Sequence, residues 1–93
     1  LYVADCENHR IQLFRYGQLN ATSVAGRNSN SNISLNCPTA VTHDADGYLF
    51  IVDSYNNRII GSDRDGFRCL VGCASNAGSS PHQLNNPTAL YFD

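Results

Sequence analysis

Short apolar runs broken by polar turn residues set the pattern of this chain. Leu1 to Asp5 is such a run, Glu7-Asn8-His9 is turn material, and a second run extends from Arg10 to Tyr16, closed by Gly17. Leu19 to Ala25 is a weaker, more polar run, as expected of a strand at the outer edge of a sheet that has to resist pairing with neighbours. Residues 26 to 36 are mostly Asn and Ser, with Ile33 and Leu35 the main apolar positions, and read as a loop. The pattern then restarts. Pro38 to His43 opens with a proline at the first strand position, where a sheet tolerates it, and Asp44-Ala45-Asp46-Gly47 is a hairpin turn. Tyr48 to Asp53, Arg58 to Ser62 and Phe67 to Val71 are three more strands; Gly72 to Asn86 is a small-residue loop, and Pro87 to Phe92 a further strand.

The restart is an internal repeat. Asp5, Asn8, Arg10 and Ile11 recur as Asp53, Asn56, Arg58 and Ile59, each 48 residues on. Val24-Ala25-Gly26 is answered by Leu70-Val71-Gly72 at 46, and Pro38-Thr39-Ala40-Val41 by Pro87-Thr88-Ala89-Leu90 at 49. Drift of this size is what turns of variable length produce between fixed strands, and a period in the forties points to a propeller or solenoid. Four short antiparallel strands joined by Gly, Asn and Asp turns make a propeller blade. The expected fold is therefore all-β: about two blades of four antiparallel strands, part of a larger propeller or a multi-chain assembly. Residues 1–37 are expected to be the last three strands of one blade plus a loop, 38–86 a complete blade plus a loop, and 87–93 the first strand of the next.

Composition narrows the class. The net charge is −2, the basic residues are six Arg without a Lys, and no basic stripe exists, which disfavours nucleic-acid binding. No apolar run approaches membrane-spanning length, so no membrane insertion is expected, and no secretory leader is visible within the chain. Cys6, Cys37, Cys69 and Cys73 accompany two sequons, Asn20-Ala21-Thr22 and Asn32-Ile33-Ser34. Together they point outside the cell, with N-linked glycans on Asn20 and Asn32. Asn86-Pro87-Thr88 is excluded as a sequon by its proline.

The run from Pro38 to Ile59, P-x-A-V-x-x-D-x-D-G-x-L-x-I-V-D-x-x-N-N-R-I, resembles the NHL repeat, a blade of six-bladed or similar propellers. The resemblance covers essentially the whole chain and identifies a blade, and a blade does not by itself identify a function. Within blades, the end of the second strand and the loop into the next blade lie at one end of the propeller, which places Cys6 near Cys37. Cys69 and Cys73 are about 13 Å apart in a straight strand, beyond the ~7 Å reach of a disulfide, so Gly72 has to curl the chain for them to pair. Cys6–Cys37 with Cys69–Cys73 is the favoured connectivity, and Cys37–Cys73 stays open as an alternative.

Each chemically suggestive cluster has a structural explanation. Asp5 with Arg10, and Asp53 with Arg58, sit at strand ends across a tight turn, where carboxylate and guanidinium meet bidentately and fix the turn. Asn8 and Asn56 complete this blade motif. Asp44-Ala45-Asp46-Gly47 and Asp63-Arg64-Asp65-Gly66 have a calcium-like D-x-D-G form but lack the further ligands of a calcium loop, and turn chemistry accounts for both. His9, His43 and His82 are far apart in sequence. His43, on an innermost strand, is the one candidate for a channel-facing metal ligand, because NHL-type propellers include secreted peptide-amidating lyases. No nucleophile motif or phosphate loop is present, so no catalytic residue, metal ligand or cofactor is assigned.

The expected function is an extracellular, glycosylated, disulfide-stapled scaffold, structural or protein-binding, whose partners are further blades, other copies of itself or an extracellular protein. Completion of blades between copies is part of that expectation. The alternative is a fragment of a secreted metal-dependent propeller enzyme.

Overall fold

The computed structural model describes residues 1–18, 20–31 and 33–73. Leu19, the sequon residue Asn32, His82, most of the expected loop after Gly72 and the expected strand Pro87 to Phe92 lie outside the described residues. Within them the protein is antiparallel β. Strands β1 (Tyr2–Asp5), β2 (Arg10–Phe14) and β3 (Ala21–Gly26) form a three-stranded sheet in the order β1-β2-β3. Strands β4 (Pro38–His43), β5 (Leu49–Asp53), β6 (Arg58–Asp63) and β7 (Gly66–Val71) form a four-stranded sheet, again in sequence order.

The boundaries differ from the sequence reading in places where backbone geometry decides. β2 stops at Phe14 because Arg15 to Gln18 close a turn, with Gln18 N–H donating to the Arg15 carbonyl and Gly17 in left-handed backbone. Tyr48 is outside β5, because its N–H is taken by the Asp44 carboxylate and its carbonyl by Asp44 N–H. Glu7-Asn8-His9 is more than a loose turn. Cys6–Asn8 and Ser54–Asn56 are each one turn of 3₁₀ helix, ended by His9 and Asn57 at φ 55°.

Both sheets carry an irregularity at one repeat-equivalent position. In the first, the register slips between Ile11 and Gln12, leaving Val24 as the extra residue of β3; in the second it slips between Ile59 and Ile60, leaving Leu70 extra in β7. A bulge sharpens local twist and re-aims the strand. Its recurrence means the two units share a bend as well as a motif.

The core lies between the sheets: Ile11 and Ala25 from the first, Ile51 and Ile60 from the second, and Leu35 from the connection, with Tyr2, Ala4, Val24, Ile33, Val41 and Phe67 packed around them. The faces involved are not equivalent. Ile11 of the first sheet corresponds to Ile59, whereas the second sheet contributes Ile51 and Ile60, which point to the opposite side in a period-2 strand. The repeat equivalent of Ile51 is Val3, which is 37% exposed, against 0% for Ile51. One face of the first unit thus stacks on the other face of the second, a head-to-tail arrangement.

Candidate functional site

The Asp-Asn-Arg motif forms the corner between two strands in each sheet. Asp5 pairs with Arg10 across β1 and β2, and Asp53 with Arg58 across β5 and β6. Reversing the chain within so short a corner requires a left-handed residue. Asn57 suits that role because Asn tolerates positive φ, and His9 adopts the same conformation in the first unit. Arg10 Nε donates to Asp5 Oδ2 at 2.9 Å, and Arg58 Nε to Asp53 Oδ2 at 2.8 Å. Asn8 Nδ2 reaches the Asp5 carboxylate at 3.1 and 3.3 Å, and Asn56 Nδ2 reaches Asp53 Oδ2 at 2.8 Å.

The expected bidentate clasp is not what forms. Each guanidinium engages one carboxylate oxygen through Nε, and in the second unit the remaining groups have other partners. Asp53 Oδ1 accepts the backbone N–H of Asn36 at 2.7 Å, and Arg58 Nη2 donates to the Ser34 carbonyl at 2.6 Å. Tyr55 N–H donates to the Asn36 carbonyl at 3.1 Å. The corner of the second unit therefore grips the backbone of the connection at residues 34 and 36, while Leu35 between them enters the core.

The first unit holds the same connection from the other side. Cys37 is bonded to Cys6, and its N–H donates to His9 Nδ1 at 3.0 Å. An accepting Nδ1 places the proton of the neutral ring on Nε2. His9, which in sequence belongs to an exposed turn with no assigned role, is a structural acceptor. Residues 34–37 are thus a latch between units, anchored covalently to the first corner and by charge-assisted hydrogen bonds to the second.

The two carboxylates consequently differ. Asp53 is fully buried and accepts from Asn36, Asn56 and Arg58; the Asp5 side chain is 27% exposed and accepts from Arg10 and Asn8. The hydrogen bond from Arg10, and then that from Asn8, hold the Asp5 carboxyl below the usual carboxylate range. No buried side-chain N or O among the described residues lacks a partner.

The remaining candidates occupy separate places. Asp44 Oδ1 accepts from Asp46 N–H and Tyr48 N–H, each at 3.0 Å, and Asp63 Oδ1 from Asp65 N–H at 2.8 Å, so both D-x-D-G carboxylates fold back on their own turns. His43 is exposed, with Nδ1 3.1 Å from the Asp44 carbonyl and its ring 6.2 Å from that of Tyr2. Among the described residues no three His, Cys, Asp or Glu side chains converge on a point that would hold a metal. Cys69 and Cys73 are bonded, their Cα atoms brought to 5.7 Å with Gly72 at φ 73°. Asn20 is exposed immediately before β3.

Leu35, Asn36, Ser34 and His9 are the site residues that the sequence reading did not single out. A signal for two of them exists: Leu35-Asn36 recurs ahead of the next proline as Leu84-Asn85, at the same spacing of 49 as the strand that follows. Comparison with family models, curated proteins and solved structures finds no match.

Proposed function

We propose that this chain is a segment of an NHL-type β-propeller that serves outside the cell as a glycosylated structural or protein-interaction scaffold. The observation that carries the reading is the head-to-tail stacking of two repeat units through one latch. An asymmetric interface repeats in one direction, and with a constant rotation it closes a ring of blades. In the second unit the charged residues that the repeat shares take part in that construction: Asp53, Arg58 and Asn56 bind each other and the connection.

The extracellular setting is supported by two disulfides, Cys6–Cys37 and Cys69–Cys73, and by the exposed Asn20 sequon. No helix among the described residues is long and apolar enough to cross a membrane. A scaffold of this kind presents its turns, its glycans and its outer strands to partners, and takes further units of its own kind at its ends.

Intact mass of the protein from a secretory host, before and after reduction and enzymatic deglycosylation, tests the reading. The expected result is a glycan on Asn20 and a gain of four hydrogens on reduction of the two bridges. Free thiols together with an unmodified Asn20 would overturn the extracellular assignment. Stoichiometric metal lost on His43→Ala would overturn the scaffold reading in favour of an enzyme.

A further inference from the structure

We propose that His9 is a pH-sensitive clasp on the latch between the two units: the neutral ring holds the Cys37 N–H and keeps the junction closed, and the protonated ring lets it go. The device belongs to this junction and goes beyond the scaffold reading, on which it does not depend.

The chemistry of the clasp is one-sided. Cys37 N–H donates to His9 Nδ1 at 3.0 Å, so Nδ1 has to offer a lone pair. An imidazolium carries a proton on both nitrogens and has no acceptor, which sets donor against donor across the same distance. The main chain of His9 is fixed. Its N–H donates to the Cys6 carbonyl at 3.1 Å, its carbonyl accepts the Arg27 N–H at 3.0 Å, and an added Cβ on Gly26 would collide with that carbonyl oxygen. The corner therefore stays in place, and the ring is the part that moves.

No neighbouring group rewards the charged ring. In its own corner the charged residues are Asp5, Glu7 and Arg10; Asp5 and Arg10 are paired with each other, and Glu7 is exposed. The end of β3 brings Arg27, a like charge on an exposed residue. From the connection comes Cys37, which is bonded to Cys6 and has no thiol to titrate, and behind it Asp53 is committed to Asn36, Asn56 and Arg58. Among the described residues no carboxylate forms an ion pair with His9.

What the clasp restrains is strained. Cys37 has φ 52°, left-handed backbone that a residue with a side chain rarely adopts, and it precedes Pro38, whose ring pushes the residue before it toward extended backbone. Such a conformation persists only where its surroundings hold it. Cys37 is 5% exposed, so its N–H, once released, finds water only if the chain shifts. Protonation removes the His9 bond and leaves the Cys6 bridge, so the connection moves but stays tethered to the first unit and can return. The freed residue lies between Asn36, whose N–H is on Asp53, and Pro38, which faces Asp53 at the start of β4. A proton on the first corner thus loosens the segment that the second corner grips. The second corner has no such response of its own, because the residue equivalent to His9 is Asn57, at the same φ of 55°, an amide that does not titrate.

His9→Asn is the discriminating variant. Asn tolerates left-handed backbone, its Oδ1 takes the place of Nδ1 as acceptor, and it has no proton to gain. Hydrogen exchange of the Cys37 amide, corrected for the intrinsic dependence of exchange on pH, is measured on the full chain at about pH 7.5 and about pH 5, either side of the ordinary imidazole range and above the range of Asp5. Protection in the wild type is expected to fall about tenfold on acidification, as the loss of one hydrogen bond of ordinary strength gives, and to stay constant in His9→Asn. The amides of Ile51 and Ile60 in the core are expected to keep their protection in both. Full wild-type protection at the lower pH, an equal fall in His9→Asn, or a fall that the core amides share would overturn the proposal. Nitrogen NMR of the wild-type ring gives a second reading that needs no variant. The Cys37 amide resonance is expected to shift in step with protonation of Nδ1, and a ring that titrates while that amide stays unchanged refutes the clasp.

Discussion

Replacing Asp53 by Asn keeps the shape of the buried corner and removes its charge. One side-chain oxygen remains to accept the Asn36 N–H, but the new amide NH₂ then faces Arg58 Nε and Asn56 Nδ2, three donors with no acceptor among them. Two hydrogen bonds to the charged oxygen disappear, both charge-assisted. Losing a bond to a charged group costs about 1.5–3 kcal/mol, and stranding its buried partner costs about 1–3 kcal/mol more. Arg58 is 23% exposed, so water recovers part of its solvation, and about 3 kcal/mol is the expected net loss. That is a large share of the roughly 5–15 kcal/mol that stabilises a small domain. Asp5→Asn is the internal control. It disturbs the same motif where the carboxylate is partly exposed and holds no connection, so its loss is expected to be clearly smaller. Urea unfolding followed by far-UV circular dichroism, with disulfides intact, reads the difference as a lowered midpoint at unchanged slope. Equal losses for the two variants, or a loss below about 1 kcal/mol for Asp53→Asn, would refute the assignment of Asp53 as the latch that holds the connection.

The same geometry sets the outcome of other perturbations. Cys6→Ser/Cys37→Ser opens a 31-residue separation and is expected to cost about 3.5 kcal/mol by loop-closure entropy, against about 2 kcal/mol for Cys69→Ser/Cys73→Ser, measured by the same unfolding experiment. Gly26→Ala is expected to destabilise by about 2 kcal/mol or more, because Gly26 sits at φ 80° and an added Cβ would collide with the His9 carbonyl oxygen; a neutral effect in thermal melts would contradict that packing. Asp5 has a lowered pKa in the folded state, so it binds its proton more readily unfolded than folded. Its contribution is present above the ordinary carboxylate range and lost as pH falls through the folded value. Wild-type stability is therefore expected to fall more steeply with acid, from below about pH 4, than that of Asp5→Asn.

The strands were legible because apolar runs separated by turn residues specify them with little tertiary help, and the repeat made the Asp-Asn-Arg motif stand out twice. The latch was not. Residues 26 to 36 have the composition of a loop, and Leu35 and Asn36 look unremarkable until Leu35 is seen in the core and Asn36 N–H on Asp53. The contact is made by a backbone N–H and two carbonyls, groups that nearly every residue carries, so side-chain identity says little about where they go. His9 was opaque for a related reason. Its role depends on the left-handed backbone that turns Nδ1 toward Cys37, a property of the corner and not of a histidine in sequence. The second bond of Arg58 belongs in the same class, since the Ser34 carbonyl that its Nη2 meets is 24 residues distant.

The latch also bears on how such a chain grows by duplication. Asp53 and its preceding connection lie within one period of each other, so a copied stretch carries both the clasp and the segment to be clasped, together with the bulge that bends each sheet alike. A unit copied in tandem thus carries the Asp53 clasp and the segment it holds together. The first-corner side of the latch departs from this rule, for Cys6, His9 and Cys37 are answered by Ser54, Asn57 and Asn86. The disulfide and the His9 hydrogen bond are therefore local to this junction, whereas the Asp53 clasp is built from residues that the repeat shares.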